Sequence, residues 1–370
     1  MKTIEELLEN YGNSQEIDFT IVNENELIIS DLDDVSLKLS REELIQIIDG
    51  EKVTIIGLDY LNDYGIQINN YAELFIESVH DNLSSLLLFG DEELNLSFLM
   101  DNVEINVSRV SSILAFILNG FYSKRYYHVL DRGLQEHYFS IKLKNINKNN
   151  YKKYAQEALF YINCDYIKNI INPITFYKLD SDYRDPLLSD DSEEIKIDIS
   201  SVNRKRILSR PSFKNLELIQ LYNYALTLDK YNKFINIYRI IEFYYPTARN
   251  LYLDKYRQDT QLTNEMLIKV IDKESELKNL QLILELLLTE AERKHLIELY
   301  FNKKFIKEKN LEKFAVSLYQ YRNSIVHSKS TQINTTIFQD PFTEDSEIPS
   351  RNYSVEYIAK KIIKRFNVKT

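Results

Sequence analysis

The sequence predicts an α+β protein: a mixed α/β domain over residues 1–178, a linker over 179–204, and an all-helical domain over 205–370. Three observations carry this. All seven glycines lie at or before Gly133, and nothing after it is glycine. Glycine serves tight turns and strand bulges, so a long glycine-free stretch favours helices closed by other caps. Charge divides in a similar way: residues 1–110 hold 24 acidic against 5 basic side chains, and 111–370 hold 32 against 41. Finally, short apolar runs broken by turn residues give way to helical spacing from residue 211 onward.

In the first domain, Asp18–Val22 and Glu26–Ser30 flank Asn23-Glu24-Asn25 and read as a hairpin. Val35–Leu39 continues in strand style. Ser40-Arg41-Glu42-Glu43 is a capping box ahead of Leu44, Ile47 and Ile48, with Gly50 where a helix would stop. Val53–Tyr60, Gly65–Asn69, Leu94–Leu99, Val103–Val107 and Tyr138–Leu143 read as further strands. Ser111–Leu118 fits a buried helix or a strand equally well. Residues 150–171 read as helix, and 179–204, polar and charged with one proline, as the linker.

In the second domain, Pro211-Ser212 opens a helix through Leu216, Ile219, Tyr222 and Leu226. Phe234, Ile237, Tyr238, Ile241 and Tyr245 keep helical spacing, and Pro246 ends that segment. Thr263 or Asn264 caps a helix through Met266 and Val270. Leu277–Leu288 is strongly apolar, and Thr289-Glu290-Ala291-Glu292 is a second capping box. Asn310 caps a helix with the stripe Leu311, Phe314, Ala315, Leu318 and Tyr321. After a polar loop (329–352), Val355, Ile358, Ile362 and Phe366 make a short basic helix.

Composition excludes several classes. With 44% hydrophobic and 28% charged residues the chain is not disordered as a whole. No apolar run approaches the ~18 residues of a membrane span, and the glutamate-rich start does not read as a signal peptide. The single cysteine, Cys164, excludes an internal disulfide and a cysteine-rich zinc site. A reduced, cytoplasmic protein is expected. The net charge of −10 hides a basic C-terminal part. Either that part faces a polyanion, or the acidic half neutralises it by packing.

The five histidines show no zinc-ligand spacing, and no glycine-rich phosphate loop or nucleophile elbow is present. The carboxylate pairs Asp33/Asp34 and Glu92/Glu93 read as solvated surface. No metal and no cofactor are expected. One constellation carries chemistry: Arg322-Asn323-Ser324-Ile325-Val326-His327, at the end of the Asn310-capped helix. RNA can be cut by its own 2′-OH if a group moves protons and a fixed cation meets the developing phosphorane. Histidine suits the first task and arginine the second. Asn323 and His327 share a helical face, whereas Arg322 lies about 140° round from His327. The other reading is a basic helix C-terminus that meets the helix dipole. A second pair at the same spacing, Arg132 and His137, spans a glycine, lacks the Asn and lies outside the helical half.

RNSIVH at the end of the last main helix of a helical domain resembles the R-x4–6-H signature of HEPN-domain ribonucleases. Leu216–Ala225 followed by Phe234–Tyr245 resembles the first helices of the Apea-like HEPN group found in prokaryotic defence proteins. The resemblance covers about residues 205–328. It implies a helical bundle that dimerises, or forms a larger oligomer, and brings two such helices to a shared cleft. It also implies metal-independent endoribonuclease activity of the toxin, abortive-infection or phage-defence kind. Arg322 and His327 would be the catalytic pair and Asn323 a supporting group. Tyr321, Arg239 and Glu242 would line the cleft, the last two also fitting a plain i, i+3 ion pair. Lys360, Lys361, Lys364 and Arg365 would track RNA, or cap the bundle as a solvated face. The acidic domain would bind a trigger or shield the cleft. Some HEPN domains have lost catalysis, so an RNA- or nucleotide-binding or dimerisation module is the alternative.

Overall fold

The computed structural model describes residues 3–8, 17–31, 35–49, 58–61, 64–78, 96–123, 139–147, 149–166, 174–176, 208–257, 276–326 and 347–369. It divides into two units, Met1–Ser212 and Phe213–Thr370. The first is a mixed sheet-and-helix unit and the second is helical, so the protein is α+β.

The expected hairpin is present. Strands β1 (Ile17–Asn23) and β2 (Glu26–Asp31) pair antiparallel, and β3 (Ser36–Ser40) adds to β2. The Asn23 side chain closes the turn by accepting from the Asn25 N–H. Helix α1 (Ile4–Leu8) precedes them, and α2 (Arg41–Ile48) starts at the expected capping box: Ser40 accepts from the Glu43 N–H while Glu43 accepts from the Ser40 N–H. Strands β4 (Leu58–Tyr60), β5 (Gly65–Ile68), β6 (Tyr71–Ser78), β7 (Leu96–Met100), β8 (Val103–Arg109), β9 (Phe139–Lys144), β10 (Ile174–Phe176) and β11 (Leu208–Arg210) form the larger sheet, in the order β11-β7-β8-β9-β6-β5-β4 with β10 on β6. The 111–118 ambiguity resolves as helix α3 (Ser112–Ser123). Its Ile113, Leu114, Phe116 and Ile117 join Leu27, Ile29, Leu37, Leu39, Leu44 and Phe75 in one apolar core. Helix α4 (Tyr151–Tyr161) buries Ala155, Ala158, Leu159 and Phe160 and packs against β9, then widens into a π-turn over Ile162–Tyr166.

Strand β6 is absent from the sequence reading, yet it is central, pairing with β5, β9 and β10. Glu73 disguises it. A carboxylate in the middle of YAELFIES argues for helix or surface, but here it is fully buried. It accepts from the Ser111 N–H (2.8 Å), the Ser140 hydroxyl (2.6 Å), the Tyr71 hydroxyl (2.7 Å) and the Ser111 hydroxyl. On the neighbouring strand Gly65, paired with Leu74, is required by close approach: an added Cβ would lie 1.9 Å from the Glu73 carbonyl oxygen. Gly65→Ala is therefore expected to destabilise the first unit by about 1–3 kcal/mol, measured by urea unfolding. An unchanged midpoint would refute the close approach.

Two boundaries differ from expectation. Strand β11 pairs parallel with β7, so residues 208–210, assigned from sequence to the helical domain, belong to the first sheet. Extended backbone before Pro211 finds its hydrogen bonds on that sheet edge. The first helix of the second unit opens at Asn215, not at Pro211-Ser212, because the Asn215 side chain accepts from the Glu217 N–H.

The second unit holds α5 (Leu216–Leu226), α6 (Lys230–Phe243), α7 (Tyr245–Arg257), α8 (Glu276–Leu286), α9 (Glu290–Asn302), α10 (Leu311–Val326) and α11 (Ile348–Phe366). Pro246 sits in the first turn of α7, where its missing N–H costs nothing, so it opens a helix as α6 closes. The Thr289 capping box starts α9 as expected, and the Asn310 side chain accepts from the Glu312 N–H to start α10. Tyr222, Phe234, Ile237, Ile241, Leu280, Leu296, Tyr300, Phe314, Leu318, Ile358 and Ile362 are buried in the core. Helix α11 is no short cap. It runs 19 residues and packs its apolar side on α6. Residues 348–352, expected in the polar loop, are its first turn. The ends of the unit are tied together: the Asn215 N–H donates to the Asn367 side chain, which donates back to the Asn215 carbonyl.

Gly50, the Thr263/Asn264-capped helix, the 179–204 linker, Arg132 with His137, and His327 lie outside the described residues. Among the described residues no helix is long and apolar enough to cross a membrane.

Candidate functional site

Arg322 stands near the end of α10, which is positioned by its apolar stripe: Phe314, Ala315, Leu318 and Tyr321 are buried. Tyr321 closes that stripe. Its ring meets Phe234 edge-on at 5.1 Å and the Arg351 guanidinium at 4.9 Å, so Tyr321 sits in the core. The next residue, Arg322, points between α6 and α8. Its Nη2 donates to Glu242 at 3.0 Å, its Nη1 donates to the Asn323 Oδ1 at 3.0 Å, and Nη1 lies 3.3 Å from Glu276. The guanidinium carbon is 5.8 Å from the Tyr238 ring centre. Four helical residues from three helices thus fix one cation whose side chain is only 15% exposed. Two of its five N–H donors make these hydrogen bonds, and Glu276 adds an ion pair.

The sequence placed Glu242 and Arg239 three apart on one helix. The Glu242 carboxylate crosses to Arg322, 80 residues away, while Arg239 is exposed and donates to Asn236 at 3.3 Å. Burial pushes the Glu242 carboxyl above its ordinary value, Arg322 opposes this, and the Glu276 charge adds to it. Burial likewise pushes the Tyr238 and Tyr245 phenols up, and their hydroxyls lie 3.5 Å apart. Tyr222, Tyr238, Tyr244 and Tyr245 are buried and Tyr224 is exposed.

Glu276 escaped the sequence reading. It precedes an apolar run and looks like an ordinary helix-start glutamate, favoured by the helix dipole. Only the packing of α8 against α10 brings it to Arg322. Its side chain remains 46% exposed. The group therefore holds one arginine between two carboxylates, one half-buried and one near solvent. Chemically, it can present an oriented cation to an anion that displaces Glu276. Residue 327, the expected proton carrier, follows the last residue of α10.

The basic residues of α11 divide. Lys361 lies 3.2 Å and Arg365 2.7 Å from the same Glu292 oxygen, and Arg365 also donates to the Leu287 carbonyl. These two charges tie α11 to α9 and to the end of α8. Lys360 and Lys364 are half-buried. Burial raises the Glu292 carboxyl, but the Thr289 N–H, Arg365 and Lys361 outweigh it and hold it at about 2. A depressed carboxyl contributes stability above its unfolded value near 4.5, lost as pH falls toward 2. Glu292→Gln keeps the capping contact and removes the charge. Its melting temperature is expected to trail the parent above pH 4.5 and to converge with it near pH 2. A constant gap across that range would disprove the linkage.

Compared with protein-family models, curated proteins and solved structures, the chain matches none.

Proposed function

We propose that the helical unit is a HEPN-type, metal-independent endoribonuclease that acts as a homodimer or larger oligomer in prokaryotic phage defence or cell arrest. The observation that supports it most is the clamping of Arg322, beside the Arg–Asn…His motif, by Glu242 and Glu276 from two other helices. A basic residue that merely ends a helix would need no such partners. In the proposed reaction the RNA 2′-oxygen attacks the adjacent phosphorus and the bond to the 5′-oxygen breaks. The products are a 2′,3′-cyclic phosphate and a 5′-hydroxyl. His327 moves the proton from the 2′-oxygen to the leaving 5′-oxygen. Arg322 neutralises the phosphorane, and Asn323 and Glu242 hold its fork in place. The acidic domain would bind the trigger, and the protein would be cytoplasmic.

The double carboxylate favours a second reading. With Glu242 and Glu276 both on Arg322, the guanidinium is already neutralised, as suits an RNA-binding or dimerisation module without catalysis. Cleavage of total RNA and tRNA in EDTA separates the two. Glu276→Gln refines the test, because it removes the exposed competitor for Arg322. For the ribonuclease, kcat/KM is expected to rise about two- to fivefold, the scale of one exposed ion pair. For a binding module the same change would tighten RNA binding with no cleavage.

A further inference from the structure

A second surface of the helical unit groups aromatic rings with cations. Across α9 and α11, His295, Tyr353 and Tyr357 form a ring cluster. The His295 and Tyr357 ring centres are 5.2 Å apart, His295 and Tyr353 5.9 Å, and the two tyrosines 6.0 Å with planes inclined by 32°. The His295 Nε2 and the Tyr353 hydroxyl share a hydrogen bond at 2.9 Å, which fixes both rings. Lys361 stands 5.4 Å from the Tyr357 ring centre. Glu292 holds Lys361 and Arg365 from below. Tyr353, Tyr357, Lys361 and Arg365 follow at four-residue steps, about 6 Å each along the helix. The result is a row with aromatic planes at one end and cations at the other.

This row is kept at the surface. Tyr353 is 44% exposed and the Lys361 side chain 40%, His295 is exposed, and Tyr357 is half-buried. A core would have buried the rings and left out the cations. The rings are rigid, have polar edges and lie beside fixed positive charge. That combination matches a ligand with flat faces and a phosphate.

We infer that this face of α9 and α11 is a stacking site for the bases of single-stranded RNA, with Lys361 and Arg365 meeting the backbone. Stacking tolerates any base, because every base has a π-face. The site would hold a strand without reading its sequence, and Arg322 would be left to act on the backbone. The inference rests on RNA as the ligand of this unit, and not on its cleavage. A protein partner is the rival occupant; the cations in line with the rings favour the nucleic acid.

The test uses the full chain and a fluorescein-labelled decamer of 2′-O-methyl RNA, which cannot undergo 2′-OH attack. Binding is read by anisotropy. Tyr353→Leu/Tyr357→Leu is expected to weaken binding about tenfold or more, given the usual worth of base–aromatic stacking. Tyr353→Phe keeps the ring and loses the bond to His295, so its affinity is expected to stay within about threefold, well inside the cost of one lost stack. Photocrosslinking a 5-bromouridine strand to unmodified protein is expected to label Tyr353 or Tyr357, and needs no variant to fold. Equal binding by a double variant with parental melting behaviour would overturn the inference. So would crosslinks elsewhere, or no binding by the parent, which would leave the face to a protein partner. Binding lost in the double variant while unmodified RNA stays uncut in EDTA would support the stacking site independently of cleavage.

Discussion

Arg322→Ala is expected to lower EDTA-resistant RNA cleavage by about 10²–10³-fold, the usual effect of losing one preorganised charge at a developing oxyanion. His327→Ala is expected to cost about 10²–10⁴-fold, as for a general acid–base residue. The two losses should not add, since each residue is useful only with the other in place. The structure adds a discriminating control. Because the Arg322 Nη1 also bonds Asn323 and its Nη2 bonds Glu242, Arg322→Lys keeps the charge but cannot make the fork. Lysine should therefore rescue little. Loss of the arginine leaves Glu242 and Glu276 facing each other with their cation gone, so circular dichroism melts must accompany each assay. Full activity in folded Arg322→Ala and His327→Ala proteins would remove this site from consideration.

The second large effect lies far from that chemistry. Glu73→Leu is expected to destabilise the first unit by about 4 kcal/mol or more. The Ser111 N–H and the hydroxyls of Ser111, Ser140 and Tyr71 all donate to this one carboxylate. The two oxygens of a carboxylate offer about four lone-pair sites, so the four donors match them. Leucine would strand four buried donors, each costing about 1–3 kcal/mol when unsatisfied. Glu73→Gln keeps one accepting oxygen and turns the other into a donor, so its loss should be smaller. Hydrogen exchange by peptide locates the damage: protection should fall in β6, β9 and the start of α3, and hold in α5 to α11. Protection unchanged in β6 would mean the carboxylate is dispensable.

These two sites show how differently sequence exposes structure. The capping boxes at Ser40 and Thr289, the Asn23–Asn25 turn and the Asn310 start are local hydrogen-bond devices, and each was legible because its donors and acceptors lie within three residues. Helices α6 and α10 were legible from their apolar spacing. Strand β6 was not, because the partners that make Glu73 tolerable in a sheet come from positions 71, 111 and 140. Nor was the role of Pro246, since the same residue can follow one helix or open the next. The length of α11 was hidden by a polar first turn, whose Arg351 is buried against the Phe305, Tyr300 and Tyr321 rings.

The candidate site divides along the same line. Arg322 and Asn323 could be picked out as a motif, and Glu242 as a polar residue on a neighbouring helix. That Glu242 reaches Arg322 and not Arg239, that Glu276 completes the pair, and that Tyr321 turns inward are results of helix packing. So is the use of Lys361 and Arg365 to hold Glu292. The α+β division, the caps and the apolar faces were legible because they depend on neighbours a few residues apart. Which charges meet is set by packing, because a carboxylate is as well satisfied by one arginine as by another until helix contacts put just one within about 3 Å.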